Sequence, residues 1–359
     1  MHTPKTNKEI VKQLISEMQI DNPVKIMEVC GTHTVSIAKS GIKQLIPKNI
    51  TLISGPGCPV CVTSQEDIEK FLILAKNPKV LITTFGDMIR VPGSTGSLQE
   101  MKAQGANIKM VYSPLDAVNL AKENPDKEVV FLGVGFETTA PLVAFALSEA
   151  EKLKLNNFSI VCLHKLAISA IDALLTGFDT DVDGFLCPGH VSTIIGTHPY
   201  EFIAKDYKKA AIVTGFEASD ILEGINMTIN QIKNKNFKVE NQYHRGVNSG
   251  GNLVALNLLK EYFDKGSAMW RGLGEIKNSG LHLKDKYKKY DAFKKFDLSN
   301  IEVKLAPTGC ICGQILKGQK SPTDCPLFGK KCTPNFPIGP CMVSSEGSCA
   351  ASYYYAGVI

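Results

Sequence analysis

The chain has 359 residues, 44% of them hydrophobic and 21% charged, with a mean hydropathy of -0.01. That length predicts two or three domains and excludes a single small module, and the apolar content excludes wholesale disorder. Forty Lys and Arg against thirty-five Asp and Glu leave a net charge of +5, a mild and scattered excess that argues against a dedicated nucleic-acid binder.

The apolar runs at 129–134 and 140–147 fall far below the roughly 18 to 20 residues that span a bilayer, and the N-terminus lacks an apolar signal core. A cytoplasmic protein with no membrane partner is expected. Eleven cysteines in a chain kept reduced by the cytosol point to metal or redox chemistry rather than to a disulfide framework.

From Val24 to Thr214 one phrase repeats: a β-rich run, a turn containing Gly or Pro, then a helical stretch. This pattern predicts parallel strands at 25–29, 50–54, 80–84, 109–112, 128–133, 159–163, 184–187 and 210–214. The expected class is α/β, with two doubly wound, Rossmann-like domains facing a cleft and a closed barrel as the runner-up. The charged loop at 122–127 divides the strands into a first domain over 24–121 and a second over 122–240. Beyond Ile221 the sequence reads as helical and Lys-rich, with Lys284, Lys286, Lys288, Lys289, Lys294 and Lys295 forming a solvated face. After Leu305 six cysteines fall within forty residues among prolines and glycines, a composition that needs more than an apolar core to fix it.

The strand ends carry the chemistry, as the crevice of an open parallel sheet requires. The first ends in Cys30-Gly31-Thr32-His33-Thr34. A helix N-terminus there would favour a thiolate, making Cys30 a nucleophile or soft-metal ligand with His33 as co-ligand or proton carrier; a buried structural Cys is the alternative. The second ends in Gly55-Pro56-Gly57-Cys58-Pro59-Val60-Cys61, whose C-x-x-C spacing suits a reversible disulfide or two thiolates on one metal. Thr63 and Glu66 then read as a capping box.

Asp87 and Arg90, Glu137 in Gly135-Phe136-Glu137-Thr138-Thr139, and His190 in Cys187-Pro188-Gly189-His190-Val191-Ser192 all sit on glycine-bearing loops, each alone suited to a cap or ion pair. Cys162 reads as a small core hydrophobe. The spacing Cys310-x14-Cys325-x6-Cys332-x16-Cys349, with Cys312 and Cys341 left over, suits a [4Fe-4S] cluster or an all-thiolate zinc, and the lack of paired C-x-x-C knuckles favours the cluster.

The ordered set of these motifs, ending in Ser344-Ser345-Glu346-Gly347-Ser348-Cys349, resembles the HypD family of [NiFe]-hydrogenase maturation proteins from about Val24 to Tyr354. The resemblance implies a scaffold with redox activity, rather than a turnover enzyme, on which iron bearing cyanide and carbonyl, an Fe(CN)2CO centre, is assembled. It implies a HypC-type small chaperone and a HypE-type cyanide donor, with HypF upstream, as partners of a chain that is monomeric alone. It also implies two α/β domains and a third, smaller iron–sulfur domain over 241–359, with the N-terminal 1–23 packed on it.

By the same resemblance Cys30 anchors iron beside His33, Cys58 and Cys61 are the redox pair, and Glu346 joins them in the chemistry. Cys310, Cys325, Cys332 and Cys349 hold the [4Fe-4S] cluster, and Cys312 with Cys341 forms a second thiol pair. One departure is Gly215-Phe216-Glu217-Ala218, with Ala where the family phrase has proline. The rival readings are a thiol–disulfide oxidoreductase with an iron–sulfur relay and a zinc hydrolase using Cys30, His33, Cys58 and Cys61.

Overall fold

The structure is a computed structural model that describes residues 7–178, 180–302 and 308–355. Strands β1 (Val24–Glu28), β2 (Ile50–Ser54), β3 (Val80–Thr84), β4 (Ile108–Met110), β5 (Glu128–Gly135), β6 (Phe158–His164), β7 (Gly184–Pro188), β8 (Ala210–Thr214) and β9 (Val239–Asn241) alternate with helices. Those that position the site are α1 (Asn7–Glu17), α2 (Gly31–Lys39), α3 (Pro59–Val62), α4 (Gln65–Ala75), α5 (Ala140–Lys152), α6 (Ala167–Gly177), α7 (Gly189–Ile195) and α8 (Ala218–Asn234). A hairpin of β10 (Phe263–Trp270) and β11 (Gly274–Leu283) follows, then α9 (Cys312–Leu316), α10 (Pro340–Val343) and α11 (Ser348–Tyr355).

The α/β class holds, with two open parallel sheets instead of a barrel. One sheet has the order β2-β1-β7-β8-β9 and the other β4-β3-β5-β6. β7 and β8 are buried along their whole length, and β5 along all but its first residue, as helices on both faces of a parallel sheet demand. The sheet membership crosses the division expected at 121/122. β1 pairs with β7, Ile26 opposite Gly184, while β3 pairs with β5, Val80 opposite Glu128. The chain therefore lays down two strands of one sheet, makes the other entirely, and returns to add the remaining three to the first.

Two further expectations change. The stretch read as helical beyond Ile221 contains the antiparallel β10–β11 hairpin, Phe263 opposite Leu283 and Trp270 opposite Gly274. Where the resemblance implied packing on the 241–359 domain, the described part of the N-terminal segment packs beside the first sheet: Val11 and Leu14 of α1 lie with Ile221, Ile225 and Ile229 of α8, and Asn226 Nδ2 donates to Glu17 Oε2 at 2.9 Å. Leu305, where the composition shifts, lies outside the described residues. The lysine face is solvated as expected, with Lys286 paired to Glu261, Lys294 to Asp285 and Lys295 to Glu128.

One continuous core joins both sheets to the hairpin and the C-terminal segment, running through Met27, Val130, Val213, Trp270, Ile315 and Met342. The cysteine-rich segment is therefore seated on the sheets. Arg90 Nη2 on the β3 loop donates to the Pro334 carbonyl, and Ser344 Oγ donates to Asp87 Oδ2 at 2.9 Å. Asp87 and Arg90 act as anchors for that segment.

Candidate functional site

Cys30 occupies the N-cap position of α2 in extended backbone. Gly57 lies on it so closely that a Cβ there would sit 2.3 Å from the Cys30 nitrogen, and the Gly31 amide donates to the Gly57 carbonyl at 3.0 Å. The glycine is thus required by contact, and it brings the second strand's loop against the first. Gly31 is required in the same way, because a Cβ would meet the Glu346 side chain at 2.5 Å.

Cys58 and Cys61 are joined as a disulfide with Cα atoms 5.2 Å apart. Cys58 caps the short α3, where the Cys61 amide donates to its Sγ at 3.1 Å and Pro59 starts the helix. Both cysteines are buried. The helix that follows, α4, is capped by Ser64, whose Oγ accepts from the Asp67 amide at 3.0 Å. The cap expected at Thr63 falls one residue later, as a simple N-cap, because the Thr63 hydroxyl turns back to the Pro59 carbonyl at 2.9 Å.

A cleft of about 350 Å³ separates the two sheets, and Cys30, Thr32, Phe136, Thr139, His190 and Glu346 line it. Loops after β1, β2, β5 and β7 and the 344–347 turn therefore meet at one place. Thr32 Oγ1 donates to Glu346 Oε1 at 2.7 Å. His190 is exposed and stacks on Phe216 with ring centroids 3.9 Å apart, and partial desolvation lowers its pKa while Glu346 works against that.

The electrostatics of Cys30 overturn the expectation of an activated thiolate. Burial pushes its thiol up to about 12, and the charges of Glu346 and Glu28 add to the effect, outweighing the amides of His33 and Thr32. Desolvation wins over the helix terminus. Without a cation this thiol is neutral at pH 7.

His33 is fully buried, and its Nε2–H donates to the carbonyls of Thr214 at 3.1 Å and Gly215 at 2.9 Å. Its Nδ1 has no hydrogen-bond partner among the described residues, and burial lowers its pKa to about 4 despite those two bonds. His33 ties α2 to the β8 loop and does not line the cleft. Three of the four side chains of the zinc reading thus have other partners, two in a disulfide and His33 on carbonyls, which leaves Cys30 alone as a free thiol.

Glu137 likewise faces away from the cleft, its carboxylate oxygens accepting the Ala167 amide at 3.0 and 3.2 Å, which caps α6 from another loop. Burial raises its pKa to about 7 against those bonds. Glu28 escaped the sequence reading. It is buried beneath Cys30, accepts the Cys30 amide at 3.2 Å and the Thr34 hydroxyl at 2.5 Å, and burial raises its pKa to about 7. A carboxylate directly after the apolar pair Ile26-Met27, at the end of the strand, was the available signal. Cys162 is a part-buried thiol bonded to the Leu281 carbonyl at 3.1 Å, and Cys187 is a wholly buried free thiol raised by burial.

In the C-terminal segment Cys310, Cys325, Cys332, Cys341 and Cys349 surround one small cavity walled by Ile315, Leu327, Phe328 and Met342. Burial raises Cys349, and the other cavity thiols add to it. Cys312 lies outside this lining, within hydrogen-bond reach of the Cys310 thiol, and both Cys312 and Cys341 are free thiols. Among the described residues no three His, Cys, Asp or Glu side chains converge as they would on a single ion. Soft thiols spaced around an apolar cavity fit a polynuclear iron–sulfur group better than one zinc.

Among the described residues no helix is long and apolar enough to cross a membrane. A family model described as "HypD: Hydrogenase formation hypA family" matches residues 5–356. The hydrogenase maturation factor HypD of Rhodobacter capsulatus is 47% identical over 94% of this chain and 90% of its own length. HypD of Escherichia coli K12 is 46% identical over 93% and 90%, and HypD2 of Bradyrhizobium diazoefficiens is 45% identical over 96% and 93%. With its cleft built from the loops that carry the resemblance, and matched along nearly its whole length, the chain belongs to the HypD family of hydrogenase maturation factors.

Proposed function

We propose that this chain is a cytoplasmic scaffold on which the Fe(CN)2CO unit of a [NiFe]-hydrogenase is assembled, with iron as cargo held at Cys30. The observation that carries the reading is the meeting of Cys30, Glu346, His190 and the Cys58–Cys61 loop at a single cleft between the sheets. Low-spin iron bearing cyanide and carbonyl favours a soft thiolate donor, and a buried site restricts competing water. Cys30 supplies the sulfur. Glu346 and His190 offer a carboxylate and an imidazole on the same wall, and Thr32 fixes the Glu346 orientation. A HypC-type chaperone would meet the iron at the cleft, and a HypE-type donor, served by HypF, would bring cyanide there.

Reduction of the Cys58–Cys61 disulfide takes two electrons and two protons to the dithiol, so the pair is a local reservoir of both. Cys310, Cys325, Cys332 and Cys349 would hold a [4Fe-4S] cluster, which supplies one-electron transfer when bound. The rival thiol–disulfide oxidoreductase needs a sulfur that a protein disulfide can approach, and Cys58 and Cys61 are 4% and 0% exposed.

The test is the infrared signal of iron-bound cyanide and carbonyl per folded molecule, in wild type and Cys30→Ser, each co-purified with the chaperone. A hard, largely protonated hydroxyl in place of the thiolate should abolish the bands and leave the cluster absorbance unchanged. Equal bands in the two proteins would sink the anchor role.

A further inference from the structure

The β10–β11 turn stands between the disulfide and the thiol cavity. Trp270 bridges Thr63, the Arg271 amide donates to the Val62 carbonyl at 2.9 Å, and Val62 follows Cys61. On the other side, Gly272 has φ +76, and a Cβ there would sit 2.2 Å from the Gly313 Cα, so its backbone touches the residue next to Cys312. The turn is held from both directions, and a side chain between its two neighbours is fixed by them.

Arg271 is that side chain. Its Nε donates to the Thr63 carbonyl at 2.8 Å and its Nη1 to Gln65 Oε1 at 2.9 Å. Its Nη2 is buried and has no hydrogen-bond partner among the described residues. An unsatisfied buried donor on a charged group is costly, and two anchored nitrogens leave the third unable to swing out to solvent. The turn that carries the guanidinium meets the cysteine-rich segment at Gly313, next to Cys312, and Trp270 beside it belongs to the same core as Cys332, Cys341 and Cys349.

We infer that Arg271 is a positioning residue that fixes a positive charge and one free N–H donor between the Cys58–Cys61 disulfide and the cavity thiols, favouring the reduced forms of both redox groups. Adding an electron to a thiolate-ligated centre adds negative charge, and a fixed cation nearby stabilises that state and raises its potential. The same charge favours the thiolates released when the disulfide opens. The inference rests on the cluster and redox pair proposed above, so wild-type protein is assayed first. Absence of a cluster there sinks the proposed function, whereas a cluster indifferent to Arg271 sinks only this inference.

The experiment uses the full chain with its cluster, prepared without oxygen and titrated with dithionite while the reduced signal is followed by electron paramagnetic resonance. Arg271→Gln should leave iron content unchanged and lower the ratio of reduced to oxidised centres at fixed potential at least tenfold, equivalent to about 59 mV for one electron. Arg271→Lys keeps the charge and should retain most of the wild-type potential. Unchanged potential in Arg271→Gln, or an equal shift in Arg271→Lys, overturns the inference. Should Arg271→Gln hold no cluster, the Cys58–Cys61 equilibrium with glutathione in that protein provides the readout. A shift toward the disulfide relative to cluster-free wild type supports the inference, and an unchanged equilibrium overturns it.

Discussion

Replacing Glu137 with Gln separates a structural carboxylate from a catalytic one. Glu137 is 3% exposed, and burial raises its pKa from 4.5 to about 7. The unfolded chain leaves this carboxyl at its ordinary value, so between the two values the folded state binds the extra proton. Stability is therefore lost as pH rises from about 4.5 to about 7, and the loss persists above that. A rise of that size corresponds to about 3 kcal/mol, an upper figure because native structure relaxes around a buried charge.

Gln keeps an oxygen for the Ala167 amide and never ionises. Glu137→Gln should match wild type near pH 4.5 and exceed it at pH 8 by up to about 3 kcal/mol, a rise of up to roughly 5 °C in the midpoint of thermal unfolding. Glu28, also raised to about 7, is common to both proteins and cancels in the difference. Circular dichroism melts at pH 5 and pH 8 measure it. A difference that does not change with pH, or a mutant less stable at pH 8, would refute the reasoning.

Three other outcomes follow from particular contacts. Gly57→Ala places a Cβ 2.3 Å from the Cys30 nitrogen, so it should destabilise by about 1–3 kcal/mol and push the disulfide loop off Cys30, whereas Gly177→Ala, with nothing within 4 Å of the new Cβ, should be neutral or slightly stabilising. Because Cys30 is raised to about 12, only about one molecule in 10,000 carries its thiolate at pH 8; iodoacetamide should label it far more slowly than an exposed thiol, with a rate that climbs roughly tenfold per pH unit, and a plateau below pH 9 would contradict the desolvation account. Trp270, the single tryptophan, bridges Thr63 two residues from Cys61, so reducing the disulfide should change its fluorescence in step with the release of two thiols, and Cys58→Ala should show no such step.

The parallel strands were legible because apolar runs ending in Gly- or Pro-bearing turns leave little else to form, and β2, β3 and β8 fall where the sequence places them. Strand order was not legible. Parallel neighbours are chosen by which crossover helix can pack on which face, a property of several segments at once. The hairpin was hidden for a local reason: β10 and β11 carry Gly266, Gly274 and Gly280 with scattered lysines, and their exposure alternates poorly. Trp270-Arg271-Gly272-Leu273-Gly274 was the turn signal available. Cys30, Cys58 and Glu346 were found through motif order, whereas Glu28 and Arg271 belong to no motif and acquire their roles only through burial.

Cys30 is held in a form that does nothing alone. Burial keeps its proton on at neutral pH, Glu28 fixes its amide from below, Gly57 covers its backbone, and Glu346 closes over Gly31. Such a thiol resists oxidation and does not attack the disulfide beside it, because both reactions require the thiolate. A cation with high affinity for sulfur removes the obstacle by displacing the proton, and hard hydrated ions gain too little from sulfur to do so. The desolvation that contradicts an activated nucleophile therefore suits a metal anchor, for it makes binding conditional on the softness of the incoming ion. The carboxylate of Glu346 and the imidazole of His190 stand at the same wall, where in the proposed role they would meet the charge that arrives with the metal.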